Sequence, residues 1–258
     1  MVLPVLPSAI LLGIFYRQTR SLTFIREYGS ATELTIGGVF GMLFNDNLLY
    51  YLLLVPAFFL VISFSCSLLL TMVYKHFRTG KLSVRMPMSN VNNGLESVMP
   101  TVAIMIASLL AYKTLFACVV SLLSEIFAPA GDPSGGTVAL ITILGIITYT
   151  MVIYFAMYPI MTSSLMLVYG YTFKDAFSEA LRMGGHNDRV QLVVGYAVPF
   201  VVNLASSYIL MGVNAHPAVI MAVNVVIQLF LISYITLFSI ISVFTQQKIE
   251  RVDLKKLY

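Results

Sequence analysis

The chain of 258 residues is 59% hydrophobic and 10% charged, with a formal net charge of +4 at pH 7 and a mean hydropathy of +0.91. Soluble domains hold about 45–50% apolar and about 25% charged residues, so the charged surface of a water-soluble fold is missing. The gaps between apolar runs are too short for an extramembrane domain of about 50 residues or more, which leaves one membrane domain over residues 1–258.

Residues 1–16 form the first apolar stretch, interrupted by Pro4 and Pro7. It has no basic leader and no small-residue cleavage site, and is expected to stay in the mature chain. At roughly 15 apolar residues it falls short of the roughly 17 to 25 of a spanning helix, so the expectation is an interfacial helix or a short span. Arg17, Arg20 and Arg26 follow, and Lys75 closes the next apolar region. Cations favour the cytoplasmic side, so both ends of residues 36–76 belong there and the number of crossings between them is even. The expectation is a hairpin of 36–55 and 56–76, with Pro56 near its extracytoplasmic turn because proline cannot donate a helical hydrogen bond. The alternative makes Asn45-Asp46-Asn47 a loop and 47–74 one long tilted span.

Four further apolar runs, 98–125, 137–165, 190–212 and 217–245, are each long enough to cross about 30 Å of hydrocarbon. The gaps within the two pairs, 129–136 and 212–217, are turn-rich and carry no Lys or Arg. The other gaps are basic: Lys75, Arg78, Lys81 and Arg85, then Lys174, Arg182 and Arg189, then Lys248, Arg251, Lys255 and Lys256. Hairpins over 98–165 and 190–245 follow, entering from the cytoplasm and returning to it. The expected fold is an all-α polytopic transmembrane bundle of six spans in three hairpins, with cytoplasmic amphipathic helices and a cytoplasmic C-terminus. Between the pairs, Phe173, Ala176, Phe177, Ala180 and Leu181 form an apolar stripe at helical spacing, with Thr172 as N-cap and Gly184 as stop. Residues 89–96, rich in Asn, are a weaker counterpart.

Lys113 stands alone among the fifteen Lys and Arg residues in lying inside a long apolar run. An ammonium at mid-bilayer costs about 2.5 to 3.5 kcal/mol on insertion scales, so it faces protein or water and usually has a partner. Asp46, flanked by Asn45 and Asn47, is the complementary mid-membrane candidate in the hairpin form, and a pair with Lys113 follows. Glu125 sits near the end of its span, where charges commonly serve solvation. Cys66 and Cys118 lie in apolar runs and read as small core residues. His76, His186 and His216 stand far apart without metal-ligand or catalytic spacing, and neither a G-x-S-x-G elbow nor a phosphate loop occurs. No catalytic residue, metal ligand or cofactor site is therefore expected. The net charge is explained by orientation and by contact with anionic lipid, not by nucleic acid.

Glu179-Ala-Leu-Arg-Met-Gly-Gly185, with Pro199 downstream, resembles the E-A-A-x-x-x-G coupling loop of ATP-binding-cassette import permeases, with Leu181 in place of the second Ala. The resemblance implies that Phe173, Phe177, Glu179, Ala180 and Gly185 dock onto a partner such as an ATPase subunit. Asn47-Leu-Leu-Tyr-Tyr51, Val55-Pro56, the basic 75–81 segment and Tyr158-Pro159 ahead of 171–183 are similar to the YesL-like family of small bacterial membrane proteins. Here Tyr replaces that family's usual Trp, and its Thr-x-Gly after the Pro is missing. That similarity implies a non-enzymatic, transport-associated protein of the cell membrane. The alternatives are a permease subunit of an ATP-driven importer, and a self-contained channel or transporter using Asp46 and Lys113.

Overall fold

A computed structural model describes residues 3–14, 48–81, 88–127, 135–184, 189–212 and 216–249. Hydrocarbon offers no water to backbone N–H and C=O groups, and a helix satisfies them within one segment. Among the described residues a short 3-10 turn, Leu3–Val5, precedes seven α-helices. These are α1 (Leu6–Ile14), α2 (Leu48–Thr79), α3 (Met88–Phe127), α4 (Gly135–Tyr169), α5 (Phe173–Gly184), α6 (Arg189–Gly212) and α7 (Pro217–Gln246). Four of them, α2, α3, α4 and α7, are long and apolar enough to cross a membrane by length and composition. Leu115, Leu122, Ile126, Ile143 and Phe155 project from α3 and α4 with half or more of their surface uncovered, an arrangement suited to lipid rather than water. These are the features of an all-α, multi-pass membrane protein.

Helix α2 continues without a break through Pro56, so the turn expected there does not occur and 48–79 takes the single-helix form. A proline inside a helix costs about 3 kcal/mol in water. Within a membrane bundle, neighbouring helices and hydroxyl side chains satisfy the backbone groups it frees. Pro100, Pro159 and Pro199 likewise lie inside helices. The other half of the expected hairpin, 36–47, lies outside the described residues.

Residues 89–96 are not a separate amphipathic segment. They begin α3, with Val91, Gly94 and Ser97 buried and Asn92, Asn93 and Glu96 exposed. The N-terminal helix packs one face onto the bundle. Val5, Ser8 and Ala9 are fully buried, and the Ser8 hydroxyl donates to the Val61 carbonyl of α2 at 3.1 Å. The nine described residues of α1 rise about 14 Å.

Contacts fix the helix directions. Thr101 meets Pro159, Tyr112 meets Thr148 and Phe116 meets Gly145, so α3 and α4 run antiparallel. Gly195 against Phe238 and Asn203 against Gln228 do the same for α6 and α7. Phe77 packs edge-on to Phe244 at 5.4 Å, which brings the C-terminal ends of α2 and α7 together. Arg78 lies over the rings of Tyr74 and Phe244, 5.7 Å from each centroid. Gln247 donates to Glu179 at 3.0 Å, adding α5 to that end. Lys75, Arg78, Arg182 and Lys248 thus gather at one end of the bundle.

Local chemistry places the helix ends. Gly80 and Gly170 adopt φ of 63° and 67°, the left-handed conformation in which their N–H groups close onto His76 and Met166 carbonyls at 2.8 Å. Thr172 caps α5 by accepting from the Asp175 N–H at 3.4 Å. His216 caps α7 through Nδ1, which accepts from the Ala218 N–H at 3.3 Å.

Helix α6 lies close against α7 at Gly195, where an added β-carbon would collide with Cζ of the Phe238 ring. Tyr196 and Tyr234 flank that ring and limit its retreat. Gly195→Ala is expected to destabilise the bundle by about 1–3 kcal/mol through overpacking, measured by unfolding of the purified protein in bicelles.

Candidate functional site

A cavity of about 330 Å³ lies between α2, α3, α4, α6 and α7, with Leu12 of α1 at its edge. Its walls are mainly aliphatic, among them Ile62, Leu70, Val102, Ile106 and Leu231. Most of its hydroxyl groups already serve the helices. Thr236 donates to the Ile232 carbonyl at 2.8 Å and Ser163 to Ile160 at 2.8 Å. Thr101 crosses from α3 to the Pro159 carbonyl of α4 at 2.9 Å. Ser239 and Ser164 join α7 to α4 at 2.6 Å.

The side-chain amides are different. Gln228 Nε2 donates to Asn203 Oδ1 at 3.1 Å across the α6–α7 seam. Tyr149 of α4 also hydrogen-bonds the Asn203 side chain, so the hydrogen-bonding capacity left at the cavity wall lies chiefly with Gln228, whose amide offers a second N–H and a carbonyl oxygen. An amide pair inside apolar helices costs insertion energy that leucines would not, and intramembrane polar side chains characteristically mark packing seams or ligand sites. Its position on an apolar cavity meets the usual description of a small-molecule site, greasy walls with a few placed polar groups.

The residues singled out from the sequence fall elsewhere. Lys113 is half-buried on α3 and is not among the residues lining this cavity. Glu125 is exposed near the end of α3. Asn45, Asp46 and Asn47 lie outside the described residues, as does Gly185. Cys66 lines the cavity, whereas Cys118 is exposed, not a core residue. Among the described residues no three of His, Cys, Asp and Glu gather as metal ligands.

The docking stripe on α5 is largely used inside the chain. Ala176 and Ala180 are fully buried and Met183 nearly so, and Gly184 lies against the Tyr158 ring of α4. Ala180 is therefore not on a free face. Phe173 and Phe177 are half-buried and stacked, with ring centroids 6.0 Å apart. Glu179 pairs with Arg182 at 2.8 Å as well as with Gln247. The helix expected to lie on a surface instead folds its apolar side onto α4, because small residues there allow close approach.

Neither Asn203 nor Gln228 stands out in the sequence. Each is one of two amides inside an apolar run, beside Gln191 and Asn224 respectively, a signal weaker than a charge, and only their meeting across two helices gives it weight. The chain matches no family model, no curated protein and no solved structure.

Asn203→Leu leaves both the Gln228 amide and the Tyr149 hydroxyl without this partner and is expected to cost about 1–3 kcal/mol. Adding Gln228→Leu removes the amide orphan, though not that of Tyr149, so the double variant should lose less stability than the two single losses combined, as read from a double-mutant cycle of chemical unfolding.

Proposed function

We propose that this is a non-enzymatic transport protein of the cell membrane whose cavity beside Asn203 and Gln228 receives a small uncharged amphiphile. The observation that carries this reading is the amide pair on an otherwise aliphatic cavity. Apolar walls favour an apolar body, and the amides orient a hydrogen-bonding head. A charged solute would be desolvated there without a counter-charge on the lining, which disfavours it.

Orientation follows from the basic end of the bundle, which belongs in the cytoplasm. In that frame α2, α4 and α7 run inward, α3 and α6 run outward, and the C-terminus is cytoplasmic. With α6 counted as a crossing this gives five passages among the described residues. Residues 48–55 belong to α2, so the separate crossing expected from 36–55 is not among them.

A second reading keeps a partner on α5, such as the ATPase subunit of an importer. It is favoured by Leu181, 47% exposed beside Arg182 on the side of α5 turned from the bundle. Co-purification with such a subunit, lost in Leu181→Glu but retained in Leu181→Ala, would support it. Glu179→Ala is the poorer choice because it also breaks the tie to Gln247.

Proteoliposomes containing this protein alone are expected to take up radiolabelled N-hexanoylglycinamide, an uncharged amphiphile with an amide head, faster than empty liposomes. Asn203→Leu with Gln228→Leu should reduce the excess uptake by about tenfold or more, equivalent to the loss of about 1.4 kcal/mol of solute binding. Uptake equal to that of empty liposomes would refute the self-contained transporter.

A further inference from the structure

At the basic end of the bundle a second cavity, of about 460 Å³, opens between α2, α3 and the turn from α4 to α5. Its character is opposite to that of the first. Lys75 reaches it from α2, Glu96 from α3, and Asn90 and Asn93 flank Glu96 on the same helix. Lys75 and Glu96 form no ion pair with each other. Glu96 Oε1 accepts from Asn92 at 3.2 Å, which leaves most of the carboxylate's acceptor capacity open.

Thr71 also lines this cleft. It is only 3% exposed, and its hydroxyl has no hydrogen-bond partner. Threonines in these helices ordinarily bond the carbonyl one turn back, as Thr114, Thr142 and Thr148 do at 2.8–2.9 Å. Thr71 instead lies against Gly94 of α3, where a β-carbon would collide with its oxygen. A buried hydroxyl left without a partner costs roughly 1–3 kcal/mol, and a ligand in the cleft would relieve that.

We propose that this cleft binds a zwitterion, its ammonium facing Glu96 and its phosphate or carboxylate facing Lys75, with Thr71 bonding the anionic group. Two opposite fixed charges that do not neutralise each other match a ligand bearing both signs. An ion of either sign alone answers one charge and leaves the other desolvated. Charge-assisted hydrogen bonds at each end supply the affinity, and the amides of Asn90 and Asn93 supply further donors and acceptors. The same chemistry is offered by a soluble zwitterion and by the headgroup of phosphatidylethanolamine. This inference does not depend on the amphiphile reading of the central cavity.

The test is calorimetric titration of the purified protein, held in phosphatidylglycerol nanodiscs, with glycerophosphoethanolamine. Saturable binding is expected, with ethanolamine or inorganic phosphate alone at least about tenfold weaker. Lys75→Gln and Glu96→Gln should each weaken binding about tenfold, and Thr71→Val by a smaller factor, while thermal unfolding shows each variant folded. Nanodiscs that also contain phosphatidylethanolamine separate the sources. Loss of the titration identifies the lipid headgroup, and an unchanged titration identifies a soluble ligand. The proposal is overturned by no saturable binding, by equal binding of ethanolamine or phosphate alone, or by indifference to both charge-removing substitutions in folded protein.

Discussion

Polar groups inside a hydrocarbon slab have to find their partners within the protein, and that requirement organises this molecule from backbone to cavity. It makes every described crossing helical, and it lets α2, α3, α4 and α6 run through prolines that would end helices in water. It also explains the threonines and serines that return their protons to carbonyls a turn earlier. Where a hydroxyl reaches across instead, as from Thr101 to Pro159 or between Ser164 and Ser239, it joins two helices. Such bonds are individually modest in membranes, averaging about 0.6 kcal/mol in one well-studied case, but they select register where dispersion alone is indifferent.

The two cavities share walls only a residue thick. On α2, Leu70 lines the apolar cavity and Thr71 the polar one; on α3, Val98 and Ser97 divide in the same way. Successive residues on a helix point about 100° apart, so adjacent positions can serve opposite sides of one seam. Gly94 makes the seam narrow by letting the α3 backbone approach Ser67 and Thr71. An environment suited to an uncharged molecule thus lies next to one suited to charges, without a separate domain for either.

Helix α5 shows why amphipathicity by itself does not identify a docking surface. Its stripe is pronounced in sequence, yet the small side chains Ala176 and Ala180 are those that disappear against α4, while Leu181 remains outside. The tie from Glu179 to Gln247 then couples α5 to the end of α7. Motion of either helix end would be felt by the other, whatever meets the exposed face.

The sequence alone determined that the chain is an all-α membrane protein, because apolar runs longer than a bilayer crossing admit only helices there. It also located the helix content of 98–125, 137–165, 190–212 and 217–245, since hydropathy depends on neighbours in the chain and not on the fold. The sequence left open whether 48–79 runs unbroken through Pro56, offering that form only as the alternative, and the seamless join of 89–96 to α3 was not legible, because proline and asparagine are read by their behaviour in water. Only the tertiary structure decided which polar residues meet. Asn203 and Gln228 lie 25 residues apart and on different helices, and no local pattern encodes their distance in space. The same holds for Lys75, Glu96 and Thr71, which become one cleft only because α3 folds back along α2. Periodicity and composition are one-dimensional properties, whereas a site is made by packing.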